Sequence, residues 1–178
     1  MHNYLPKIYY FIDEFNKEHI KKLNKNIAII YRNYDQKINL SLIKEIKQFS
    51  KINGRKFFLA NNVKIAIKLG LDGVFIPSFN KKPKILSFPT KKKFIVLGSA
   101  HNLKEIRVKE NQNVKCIFLS PIFKVDKSKN YLDIYKFNFL TKYTKKKIIC
   151  LGGLNKNNIK KVNLLDIHGF ASISLFNK

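Results

Sequence analysis

Eight short apolar runs, each of strand length, recur along this chain with longer polar-apolar segments between them. They fall at 7–13 (KIYYFID), 27–32 (IAIIYR), 55–60 (RKFFLA), 73–77 (GVFIP), 93–99 (KFIVLGS), 116–123 (CIFLSPIF), 147–152 (KIICLG) and 169–175 (GFASISL). Continuous apolarity over so few residues suits strands covered on both faces. Between most of them the period changes. In 40–52, Leu40, Ile43, Ile46 and Phe49 recur every third residue, with Lys44, Glu45 and Lys47 opposite. That spacing predicts an amphipathic helix. The segment 62–69 ends at Gly70, a helix stop. Weaker helical patterns follow over 102–111 and 155–165.

Strands that alternate with helices build parallel βα units. A doubly wound sheet and a closed barrel are the two ways to finish such a chain. No GxGxxG follows the first strand, which disfavours a dinucleotide fold. A count of eight favours the (β/α)8 TIM barrel, an α/β fold. At 178 residues the chain is one domain, 1–178, and short for a barrel of roughly 200–250 residues. The economies are visible. The segment 81–92 holds Pro83 and Pro89 and has room for a turn of helix at most, so the fourth helix is reduced. After the eighth strand only FNK remains, so the last helix is missing. The flank this leaves uncovered is a place for a second copy of the chain to pack.

Composition excludes several classes. No apolar run reaches about 18 residues, so no membrane span is expected. The first residues lack a signal-peptide pattern, and Cys116 and Cys150 sit inside apolar runs as buried thiols; a reducing cytoplasm is expected. The formal charge of +25 suits anionic ligands. The lysines are scattered over nearly every segment, without zinc-finger spacing or an RNP-like string, which argues against nucleic acid as the partner. No nucleophile elbow, HExxH, CxxC or Walker loop is present.

In barrels of this kind the site lies at the C-terminal strand ends. Those ends supply Asp13-Glu14, Arg32, Asn61-Asn62, Pro77-Ser78, Ser99-Ala100-His101, Ser120-Pro121, Gly152-Gly153 and Ile173-Ser174. The set is polar and poor in carboxylates, so a paired-carboxylate hydrolase is not expected. Phosphate sites here are often built after strands seven and eight from backbone N–H groups. Gly152 and Gly153 end the seventh strand, Asn155 follows as a candidate cap for the next helix, and Ile173-Ser174 ends the eighth. Arg32 is suited to oxyanions. His101 is a candidate ligand contact or proton carrier. Ser120 is a candidate substrate contact, and Lys127 and Lys129, after the sixth strand, are placed to close over a phosphate.

Five stretches, FIVLGSAHNLKEI, CIFLSPIF, IICLGGLNKNNI, GFASISLF and the upstream LANNVKIAIKLGLDGVFIPS, resemble the thiamine phosphate synthase/TenI family in order and spacing. The resemblance runs from about residue 27 to the end. It implies a (β/α)8 barrel and an enzyme of thiamine biosynthesis. The synthase branch joins a hydroxymethylpyrimidine diphosphate to a thiazole phosphate, with loss of pyrophosphate and with Mg2+. On the matching positions, Gly153, Ile173 and Ser174 would hold the thiazole phosphate, and Ser99 and Arg32 would lie near the pyrimidine and its diphosphate. The family's metal-binding aspartates correspond to Asn61 and Asn80, and its threonines after SPIF to Val125 and Lys127. The TenI branch contains thiazole tautomerases; the histidine tied to that chemistry falls at Pro121. A synthase-like transferase is therefore the leading expectation. A tautomerase, a non-catalytic thiazole-phosphate binder and, remotely, a nucleic-acid binder are the alternatives.

Overall fold

A computed structural model describes residues 4–34, 38–83, 85, 93–126 and 130–176. Eight strands pair in parallel, each with its sequence neighbour, and β8 returns to β1, so the sheet closes into a barrel. The strands are β1 (Ile8–Ile12), β2 (Ile27–Tyr31), β3 (Phe57–Ala60), β4 (Gly73–Ile76), β5 (Ile95–Ala100), β6 (Cys116–Leu119), β7 (Lys147–Leu151) and β8 (Gly169–Ser172). Each lies within or overlaps its expected run. β6 stops well short of 123, because Pro121 has no N–H for the ladder. β8 stops short of 175, where Phe176 N–H turns back to the Ile173 carbonyl at 3.2 Å.

Five α-helices lie outside: α1 (Lys17–Lys22), α2 (Leu40–Ile52), α3 (Val63–Lys68), α4 (Leu103–Asn111) and α5 (Asp133–Thr141). Four of them start in the same way. The side chains of Asn16, Asn39, Asn62 and Asn102 each accept an N–H three residues on, at 3.0 Å. An asparagine cap satisfies one of the orphan donors of the first turn. The pattern expected over 155–165 yields only a 3-10 helix, Ile159–Leu164. Asn155 does not cap it. Instead it accepts the N–H groups of Asn157 and Asn158 at 2.9 and 3.2 Å, closing a turn before the helix. α5 escaped the periodicity argument. Its inward residues Phe137 and Leu140 alternate with the exposed Tyr135 and Phe139, so no clean polar face marks it.

Period-two alternation divides the strand residues between two cores. One set fills the barrel: Tyr9, Phe11, Ile30, Phe58, Phe75, Leu97, Phe118 and Ile149 among others. The alternate set, including Tyr10, Ile29, Phe57, Val74 and Ile117, packs under the helices with Ile43, Ile46 and Ile106. The interior is aromatic. The Phe11, Phe75 and Phe118 rings meet edge to face at 5.0, 5.2 and 6.0 Å, and Tyr9 packs on Phe118 at 4.9 Å. Edge-to-face contact suits the ring quadrupoles, so the barrel is plugged and not a pore.

The two economies take definite forms. Between β4 and β5 no helix occurs among the described residues. Lys109 of α4 and Gln112, the residue that caps its end, hold that connection instead. Lys109 Nζ donates to the carbonyls of Pro77 (2.8 Å) and Asn80 (2.9 Å) and to Gln112 Oε1 (2.8 Å). Gln112 Nε2 donates to the carbonyls of Asn80 and Lys82. After β8 no helix appears up to residue 176. The flank is nevertheless not bare. The Phe176 ring lies 5.3 Å from Tyr10 and 6.5 Å from Phe170, so the short tail covers the closing seam. No helix among the described residues is long and apolar enough to cross a membrane.

Candidate functional site

The inward alternation runs through 95 and 97 to Ser99 inside β5, and past the strand ends from 28 and 30 to Arg32 and from 116 and 118 to Ser120. These side chains therefore sit above the aromatic plug. The Arg32 guanidinium lies over the Phe11 ring at 5.5 Å, a cation held on a π face and turned toward the barrel axis. A cavity of about 1080 Å³ opens there. It is lined by Arg32 after β2, His101 and Asn102 after β5, Ser120 and Pro121 after β6, Leu151 and Gly152 at β7, and Ile173 after β8. Val125, Tyr131, Leu132 and Leu140 form an apolar wall, with Lys136 and Asp126 at its edge.

The loop after β7 has an unusual bonding pattern. The Leu151 carbonyl accepts from Ile122 N–H at 3.0 Å and the Gly152 carbonyl from Phe123 N–H at 3.2 Å. The Gly153 carbonyl accepts from Asn158 Nδ2 at 2.7 Å. The Leu154 carbonyl accepts from the hydroxyls of Ser174 and Ser172, at 3.0 and 3.3 Å. Four successive acceptors are thus occupied by the protein. A backbone whose carbonyls turn back onto the protein is suited to offer N–H groups, the polarity an anion requires, although the Asn155 N–H is itself taken by Asn158 Oδ1 at 2.9 Å. The glycines also answer to packing. Both have positive φ, +95° and +72°. A Cβ on Gly152 would come within 2.7 Å of Pro121, and one on Gly153 within 2.7 Å of Phe123 and Lys124 backbone atoms.

His101 is held at both ring nitrogens. Nδ1 lies 2.7 Å from the Ser120 carbonyl, and Nε2 lies 3.0 Å from Ser78 Oγ. A carbonyl oxygen only accepts, so Nδ1 carries the hydrogen. The Ser120 hydroxyl is also close to Nδ1, at 3.2 Å. Glu105 Oε2 accepts the His101 backbone N–H at 2.8 Å, which fixes the start of α4.

The remaining sequence candidates are distributed as follows. Ser99 is buried in the mouth, and neither it nor Gly153 nor Ser174 lines the cavity. Lys127 and Lys129 lie outside the described residues. Asn61 and Asn80 come together but apart from that cavity. Asn80 Nδ2 donates to Asn61 Oδ1 at 2.7 Å, and Asn80 Oδ1 accepts Lys82 N–H at 3.2 Å. Both amide oxygens are occupied, and the Lys109 ammonium is bonded to the Asn80 backbone. Magnesium favours anionic oxygen. This pair does not fit such an ion, and no other group of three or more His, Cys, Asp or Glu residues gathers among the described residues. A smaller cavity of about 270 Å³, lined by Tyr31, Tyr34, Asn61 and Asn62, lies beside the pair. Tyr34 there packs on Phe79 at 5.4 Å, and burial pushes its phenol up to about 12. Sequence reasoning gave Lys136 and Tyr131 no role because they follow the sixth strand by many residues; only closure of the barrel brings them to the mouth.

Comparison with known proteins follows the same lines. The family model described as thiamine monophosphate synthase matches residues 17–176. Among solved structures, a thiamine phosphate pyrophosphorylase from Pyrococcus furiosus is similar with a TM-score of 0.73 and 19% identity, over 94% of this chain and 85% of that one. An HpcH/HpaI aldolase from Desulfitobacterium hafniense is similar with a TM-score of 0.67 and 8% identity, over 95% and 86%. A truncated 3-deoxy-D-arabino-heptulosonate 7-phosphate synthase from Thermotoga maritima is similar with a TM-score of 0.62 and 10% identity, over 94% and 74%. At such identities the likeness concerns the fold. No curated protein sequence matches the chain.

Proposed function

The chain belongs to the thiamine monophosphate synthase family, and from that premise we propose that it is a transferase of thiamine biosynthesis. In this reading it joins hydroxymethylpyrimidine diphosphate to thiazole phosphate. The bond from the pyrimidine methylene carbon to the diphosphate oxygen breaks, pyrophosphate leaves, and the thiazole nitrogen forms the new carbon–nitrogen bond. No strong base is needed for this; the requirement is for groups that hold anions and exclude water. The observation that carries the reading is the loop after β7. The carbonyls of Leu151, Gly152, Gly153 and Leu154 are tied back, and the loop stands beside Ile173 at the cavity. Its N–H groups would bind the thiazole phosphate, with Gly152, Gly153, Ile173 and Ser174 as its frame.

Arg32 is assigned to the diphosphate. Its guanidinium offers a planar fork of donors at the mouth, and its seat on Phe11 limits its freedom before a ligand arrives. Ser99 lies beneath as a contact for the pyrimidine. Magnesium, which the resemblance implied, finds no fitting donors at Asn61 and Asn80, so no step is assigned to it. The same amide pair favours a second reading, a binder of thiazole phosphate without turnover. A tautomerase is disfavoured, since Pro121 packs against Gly152 and carries no titratable group.

Purified protein supplied with both substrates and Mg2+ should form thiamine phosphate, detected as fluorescent thiochrome after oxidation. Arg32→Gln should lower kcat/KM about 100-fold, in line with loss of a charge-stabilising donor. Calorimetry should show thiazole phosphate bound by both proteins. Binding without product supports the second reading; neither binding nor product refutes both.

A further inference from the structure

We propose that Ser78 is a covalent nucleophile, with His101 as its base and the Ser120 carbonyl as the group that orients the base. The three come from the ends of β4, β5 and β6, and nothing in the coupling reaction uses the serine. Ser78 Oγ is 3.0 Å from His101 Nε2, and His101 Nδ1 is 2.7 Å from the Ser120 carbonyl. That carbonyl forces the hydrogen onto Nδ1 and leaves the Nε2 lone pair for the serine hydroxyl. A nucleophile within hydrogen-bond reach of a base, itself oriented by a third group, is the arrangement that activates a hydroxyl. Here a backbone acceptor stands where a carboxylate often does. The constraint is rigid, because each contact crosses between neighbouring strand ends, and because Lys109 pins the carbonyls of Pro77 and Asn80 on either side of Ser78.

The substrate class follows from the cavity that His101 lines; Ser78 is not itself in that lining and reaches it through the 3.0 Å contact to His101 Nε2. Leu132, Leu151 and Ile173 offer an apolar surface, while Arg32 and Lys136 offer positive charge. A small carboxylic ester with an apolar body and an anionic group matches both. Ser78 Oγ adds to the ester carbonyl as its proton moves to His101 Nε2. That proton then goes to the departing alkoxide, which leaves as the alcohol. Water next attacks the acyl-serine, gives a proton to His101, and the proton returns to Ser78 as the acid is released. Ester and water become acid and alcohol, with no redox change.

The test uses the full chain and a fluorophosphonate probe. Ser78 Oγ should form a bond to phosphorus as fluoride leaves, giving a single adduct in the intact mass and a modified Ser78 after peptide mapping. Ser78→Ala should take up none. His101→Gln should label about 100-fold more slowly, the scale of a lost general base. Circular dichroism of the variants separates this from unfolding. An unmodified wild-type chain, an adduct on another residue, or equal rates in wild type and His101→Gln would overturn the proposal and reduce the contacts to ties between strand ends. Because Ser78→Ala spares Arg32 and the loop after β7, it should still bind thiazole phosphate. The two assignments can therefore fail independently.

Discussion

Lys109 shows what one side chain contributes here. Its stem lies fully buried beside Gly98, where a Cβ would approach its Cδ to 2.9 Å. Its ammonium meets three acceptors, so all three of its hydrogens are used. Burial still costs the charged form, and its pKa is pushed down to about 8. The folded pKa lies below the unfolded value of 10.5, so between about pH 8 and 10.5 the unfolded chain holds a proton that the folded chain has released. Stability from this group therefore rises with pH across that window. Lys109→Met leaves three acceptors behind and should cost about 3 kcal/mol at pH 7. Urea melts at several pH values should show wild type gaining relative to Lys109→Met from pH 8 to 10; a difference that shrinks would contradict the assignment. The same residue was invisible as a determinant in the sequence, where it reads as one of many lysines on a helix.

At the level of elements, helix and strand periods were well expressed. α2 runs over the predicted 40–52, and its asparagine cap is the residue just before it. The segments that departed did so for identifiable reasons. Tyr135 and Phe139 on the outer face of α5 hid its period, and the turn built on Asn155 left room for only a 3-10 helix. Strand glycines carry a constraint of their own. A Cβ on Gly169 would lie 1.8 Å from the Lys7 carbonyl oxygen, and one on Gly73 would lie 1.9 Å from that of Ile95. Gly169 stands at the β8–β1 seam, where Phe170 N–H bonds the same Lys7 carbonyl at 2.8 Å. Gly169→Ala must push the seam apart, costing about 3 kcal/mol or more. A loss below about 1 kcal/mol in chemical denaturation would show that the seam yields.

Over the whole molecule the charge is the controlling quantity. A formal +25 is spread over one small barrel, and only three ion pairs occur among the described residues: Lys17–Glu45, Lys56–Asp72 and Arg107–Glu110. Self-repulsion opposes the compact state, and added salt screens it. The urea midpoint should rise as KCl goes from about 0.05 to 0.3 M, with the slope m unchanged. A falling midpoint would mean that attractive pairs dominate. The same charge favours the approach of anions to the mouth, whose lining includes Arg32 and Lys136.

By itself the sequence determined the eight-strand count, the barrel closure and which strand ends face the mouth. These follow from local period and from the position of each residue within its run, both written in neighbouring residues. It also located Gly152, Ile173, Arg32, His101 and Ser120, because a strand end is a sequence address. Which of these touch was decided only by the tertiary structure. Ser78, His101 and Ser120 lie about twenty residues apart from one to the next, and meet because adjacent parallel strands bring successive C-terminal ends side by side. The Asn61–Asn80 pair and the Lys109 clamp arise in the same way. Such contacts depend on strand register and on how side chains of successive strand ends pack together, and neither leaves a periodic trace in the chain.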